Sequence, residues 1–98
     1  MNGAAADVLS QLRKRRQQAR EQFGLELIGI VGSVARGDAR PDSDVDVVLS
    51  ALRAITLFDL ARLQAELEDH LHRRVDLILS EDLPAERKTY LERNLVRI

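Results

Sequence analysis

The chain has no cysteine, so it can form neither a disulfide nor a thiolate metal site. That fits a reducing compartment, and the sequence reads as a soluble cytoplasmic protein. No apolar run approaches the ~18 residues needed to span a bilayer. Residues 1–9 lack the basic start and apolar centre of a signal peptide. Aromatics are scarce: two Phe and one Tyr. Net charge is nearly absent, because fifteen Lys and Arg stand against sixteen Asp and Glu, for a formal total of −1. Such a balance gives no bulk attraction to nucleic acid or to acidic membranes. An anionic ligand must be held locally, by backbone amides, a metal ion or a few arginines.

What is present is a globular composition, 45% hydrophobic over 98 residues. This suits one domain spanning residues 1–98, with a small core that buries about 60–65% of the unfolded surface. Ala4 to Phe23 has the 3.6-residue periodicity of a helix, with Val8, Leu12, Ala19 and Phe23 on one face and Leu9 beside them. Gly24 suits the position just past its end. Arg13, Lys14, Arg15, Arg16 and Arg20 form the opposite face, read as solvated rather than as a nucleic-acid contact because no aromatics are interleaved. Leu25–Val31 is an apolar, β-branched run, hence a buried strand. Ser33–Arg36 then begins a short helix with Ser33 at or near its N-cap. Val45–Ser50 is a second strand.

Thr56 and Asp59 have capping-box spacing and open a helix over Leu57–His72. Its apolar stripe is Leu57, Leu60, Leu63, Leu67 and Leu71. Arg74–Leu79 is a third strand. Asp82 and Pro84 start a last helix reaching Asn94, with Tyr90, Leu91 and Leu95 as its apolar face. Val96–Ile98 adds a short extended piece. The order αβαβαβα predicts an α/β (α+β) fold, a small three-stranded mixed sheet with helices packed against it.

Gly32 to Asp46 is the unusual stretch, highly polar between two buried strands. Asp44 and Asp46 stand two apart, so on a strand their side chains share a face while Val45 points into the core. Paired carboxylates repel unless a proton or cation lies between them, and oxygen-only ligands favour a hard cation such as Mg²⁺. Asp76 interrupts an otherwise apolar strand, an odd place for a lone carboxylate. A helical crossover makes the second and third strands parallel and sets Asp76 beside Asp46. Gly32 permits close backbone approach. The amides after it, with the Ser33 hydroxyl, can hold phosphate oxygens. For that cradle to meet the aspartates, the first and second strands must be antiparallel. Carboxylates, divalent metal and phosphate cradle together point to phosphoryl or nucleotidyl transfer.

Plainer readings exist for each residue. Asp44 and Asp46 could cap a turn with Asp42 and Ser43. Asp76 could pair with Arg73 or Arg74. Arg36 and Arg40 could be solvated rather than phosphate-bound. His70 and His72 suit a surface beside a helix end. Tyr90 suits packing with an exposed hydroxyl.

Gly32-Ser33, ten intervening residues, then Asp44-Val45-Asp46 resembles the GS-x10-DxD signature of minimal nucleotidyltransferases in the DNA polymerase β superfamily. The interior SVARGDARPDSD and the run TLFDLARLQAELEDHLHRRVDLI, ending past Asp76, resemble the same family. The likeness covers about residues 8–98. Val31 stands where many relatives have Phe, and the segment from Ser50 to Ile55 is short. The resemblance implies that Gly32, Ser33, Arg36 and Ser43 bind the nucleotide. It implies that Asp44, Asp46 and Asp76 hold Mg²⁺, with Asp76 activating the incoming hydroxyl. It further implies an antitoxin of a type VII-like pair that moves AMP from ATP to a tyrosine of a cognate HEPN-family RNase toxin, in a hetero-oligomer. A chain of this length lacks the second domain with which larger nucleotidyltransferases hold their acceptors, which favours a protein acceptor. Two rivals remain: a catalytically silent antitoxin acting by stoichiometric binding, and a transferase for a small-molecule or nucleic-acid acceptor.

Overall fold

A computed structural model describes residues 3–98. The chain runs α1 (Gly3–Gln18), a π-helical turn (Ala19–Phe23), β1 (Leu25–Val31), α2 (Gly32–Arg36), β2 (Val45–Ala51), α3 (Leu57–Leu71), β3 (Val75–Leu79), a 3₁₀ turn (Ser80–Asp82), α4 (Ala85–Asn94) and β4 (Val96–Arg97). The sheet has four strands rather than three, in the order β3-β2-β1-β4. The extra strand is the extended tail, which pairs antiparallel with β1 through Gly29–Arg97 and Ile30–Val96. Gly29 makes that pairing possible, because a Cβ there would collide with the Val96 carbonyl. The predicted mixed directions hold: β1 and β2 are antiparallel, β2 and β3 parallel.

Alternation along the strands divides the sheet into two unlike faces. Val45, Val47, Leu49 and Val75 join the main core with Leu25, Leu27 and Ile30. Helices α1 and α3 cover this face through Val8, Leu9, Leu12, Leu63 and Leu67, all buried. Each such side chain contributes about 1.5–3 kcal/mol on burial. The other face carries a smaller cluster of Val31, Val48 and Leu91, the last from α4. A bulge between Leu27 and Gly29 shifts the β1 register. That shift lets Ile30 face the main core and Val31 the opposite side.

The long first helix is interrupted. Its last turn is π-helical and closes at Gly24, which is left-handed with φ 67°. Arg16 and Arg20 both pair with Glu26 on β1, and Arg15 meets His70, so part of the basic face ties elements together. In α3 the capping box forms as expected: the Asp59 amide donates to Thr56 Oγ1 at 3.1 Å and the Thr56 amide to Asp59 Oδ2 at 2.9 Å. His72 ends that helix in a left-handed conformation. Leu57 does not join the stripe. It is 84% exposed.

Candidate active site

Asp46 and Asp76 are partners in the β2–β3 register, so their side chains rise side by side from the less covered face. Asp46 is half-buried and Asp76 exposed. Burial raises the Asp46 carboxyl above the usual carboxylate range. The charges of Asp76 and Asp44, and a hydrogen bond with Asp76, push it the same way, and Arg36 opposes them. A like-charged pair of this kind is costly to ionise fully without a counter-cation.

Asp44 lies one residue before β2 rather than within it. Its charge reaches Asp46, and its own carboxylate stands 3.8 Å from Arg74 Nε. Among the described residues no three carboxylate or imidazole side chains are drawn into a ready-made metal cluster. The donor set nevertheless suits a hard divalent ion. It is all oxygen, it is carboxylate, and in Asp46 it is strained by its own negative charge.

Gly32 closes the site from β1. Its φ is 84°, and a Cβ there would overlap Asp46 Oδ2, so only glycine lets the chain turn this close to the carboxylate. The antiparallel register sets Val31 opposite Asp46 and thereby fixes the approach. Ser33 does not cap α2. Val31 occupies that position, no side-chain cap forms, and Ser33 sits in the first turn with its carbonyl accepting from Gly37 and Asp38. The positive φ of Gly32 makes the turn two residues earlier than capping by Ser33 requires. Arg36 is exposed, pairs with Asp38 at 3.3 Å and still acts on Asp46. Ser43 Oγ accepts from the Arg40 amide at 2.8 Å and holds the loop before Asp44. Arg73 braces the same loop through the Arg40 carbonyl at 3.2 Å.

Gly32 and Asp46 form one side of a cleft of about 250 Å³ whose other side is α4. Arg87 and Tyr90 line it from that helix. Sequence reasoning assigned Tyr90 to packing with an exposed hydroxyl; it is 51% exposed and lines the cleft. The available signal was spacing: Arg87, Tyr90 and Leu91 share a helix face, and Leu91 is the residue that docks on the sheet.

A sequence model of the nucleotidyltransferase domain matches residues 9–98. A protein adenylyltransferase, MntA, of Thermococcus cleftensis is 36% identical over 77 residues, 79% of this chain and 78% of its own. A solved chain assigned as a minimal nucleotidyltransferase superposes with TM-score 0.74 at 34% identity, over 92% of this chain and 95% of that one. A chain from a toxin–antitoxin crystal structure with AMP-PNP shares the fold, with TM-score 0.69 at 19% identity over 95% of this chain and 70% of that one.

Proposed function

The chain belongs to the nucleotidyltransferase domain family, and from that premise we propose that it is an antitoxin transferring AMP from ATP to a tyrosine of a cognate HEPN-family toxin. The family makes it a nucleotidyltransferase, and the adenylyltransferase relative supports AMP as the group moved. The HEPN partner and the tyrosine rest on the resemblance of Gly32-Ser33, Asp44, Asp46 and Asp76 to minimal nucleotidyltransferases. The observation that carries the reading is the Gly32 backbone pressed against Asp46, which is itself in register with Asp76.

Roles follow from chemistry. Asp44, Asp46 and Asp76 would hold Mg²⁺, which would neutralise triphosphate charge and polarise the α-phosphoryl group. Gly32 and Ser33 contact the triphosphate through their backbone amides and the Ser33 hydroxyl. Arg36 adds positive charge. Ser43 keeps its hydroxyl hydrogen to donate, since its oxygen already accepts from Arg40. The acceptor hydroxyl oxygen bonds to the α-phosphorus, the bond to pyrophosphate breaks, and the hydroxyl proton passes to Asp76. Asp76 suits that task because it is the more open of the two in-register carboxylates.

Incubation of the purified protein with labelled ATP, Mg²⁺ and the HEPN protein encoded beside it is expected to label a tyrosine of that protein. Asp44→Ala with Asp46→Ala lowers the rate by at least about 10²–10³-fold. Full labelling by the double variant overturns the mechanism. Neutralisation of the toxin by that variant without any labelling favours stoichiometric binding.

A further inference from the structure

We infer that Arg87 and Tyr90 of α4 are substrate-contacting residues, Tyr90 as the wall against which the nucleoside part of the nucleotide packs and Arg87 as a cation for its polyphosphate. The inference rests on the reading that Gly32 and Asp46 mark the phosphate and metal end of the site. From there the cleft leads to α4, which packs on this face of the sheet through Leu91. Its volume of about 250 Å³ lies just below the ~300–1,000 Å³ of sites that enclose a whole drug-sized ligand. That is room for one nucleoside, with the polyphosphate left at the mouth.

The lining chemistry fits that occupant. Ile78 and Leu83 give apolar surface along one flank. Tyr90 offers a ring, which stacks on any nucleobase because every base has a π-face. Arg87 is the cation of the cleft. It makes no ion pair among the described residues, and no bond of the Tyr90 hydroxyl is found there either. Both side chains are exposed, so neither is engaged in holding the fold. Their placement is nonetheless fixed. Leu91 is buried on the sheet, and Arg87 lies one helical turn before it on the same face, lining the same cleft as Gly32 and Asp46. A nucleoside triphosphate carries more negative charge than one divalent ion offsets. Beside three aspartates, a further cation at this end lowers the cost of bringing it in.

The test is binding to the full chain in Mg²⁺, with ATP and inorganic tripolyphosphate as separate probes. Wild-type protein is expected to bind ATP more tightly than tripolyphosphate. Tyr90→Ala weakens ATP binding about tenfold, ~1.4 kcal/mol, and leaves tripolyphosphate binding unchanged. Tyr90→Phe keeps the wild-type affinity. Arg87→Met weakens both probes. Unchanged thermal melts show that the variants are folded. Wild-type ATP binding that Tyr90→Ala and Arg87→Met share in full overturns this inference alone. So does loss in Tyr90→Phe equal to that in Tyr90→Ala, or the appearance of AMP on Tyr90 in the intact mass, since either makes the hydroxyl the working group. Failure of the wild-type chain to bind either probe overturns both this inference and the site reading beneath it.

Discussion

Asp46 carries two opposed demands. Its neighbours raise its affinity for a proton, so the folded state becomes harder to ionise than the unfolded one. An acid with a raised folded value removes stability as pH climbs from the unfolded value of 3.8 through the folded one. Asp46→Asn keeps the shape beside Gly32 and removes the charge. Its melting temperature at pH 7 without divalent ions is therefore expected to exceed that of the wild type, while transferase activity is lost. Adding Mg²⁺ raises the wild-type melting temperature and leaves that of Asp46→Asn unchanged. Melts at pH 7 with and without Mg²⁺ check both statements, and a destabilised, Mg²⁺-responsive Asp46→Asn contradicts them.

At the scale of elements, Glu26 shows how a basic helix face becomes structural. Arg20 hydrogen-bonds Glu26 and Arg16 supports it, and together they hold its carboxyl down to about 2 from the ordinary 4.5. A lowered acid contributes stability above its unfolded value and loses it as pH falls through the folded one. The contribution therefore disappears between about 4.5 and about 2. Glu26→Gln is expected to lower the melting temperature at pH 7 and to lose less than wild type across that acid window. Parallel melts from pH 6 to 2 read the difference, and parallel curves for the two proteins contradict it. Both arginines are nearly half exposed, which keeps the effect modest.

The same elements show what was legible in the sequence. The helix over Leu57–Leu71 was readable because its cap and stripe are local signals that agree, while Leu57 misled because periodicity marks a face and not how much of it is covered. The π turn was invisible. Ala19 and Phe23 are buried whether the helix is α or π, so their spacing carries no trace of the wider turn. Strand β4 is two residues long, and only Gly29, read as one more member of an apolar strand, hinted at a close neighbour. The pairing of Asp46 with Asp76 was legible because the crossover rule fixes parallel direction. Arg87 and Tyr90 were legible only as neighbours of Leu91 on one helix face, because spacing marks a shared face and does not distinguish a side chain facing a cleft from one facing water.

The whole molecule is a sheet with one well-covered face and one nearly bare one, and the candidate site occupies the bare one. That asymmetry separates stability from function more cleanly than in a chain covered on both sides. The main core, with Leu67 of α3 fully buried in it, carries the fold, whereas Leu91 belongs to a cluster of three buried residues and holds α4 against the sheet. Leu91→Ala is expected to cost about 2 kcal/mol, at the low end for a buried leucine because this site can relax toward solvent. Its larger effect is on α4, whose amide hydrogens exchange faster and whose cleft-lining residues lose their fixed position. The KM for ATP therefore rises severalfold with the carboxylates untouched. Leu67→Ala serves as the control: about 3–4 kcal/mol of stability goes, and the KM for ATP stays at the wild-type value in protein that remains folded. Measuring melting temperature, α4 hydrogen exchange and KM for both variants decides it. Equal KM values for Leu91→Ala and Leu67→Ala mean that α4 serves only to cover the sheet.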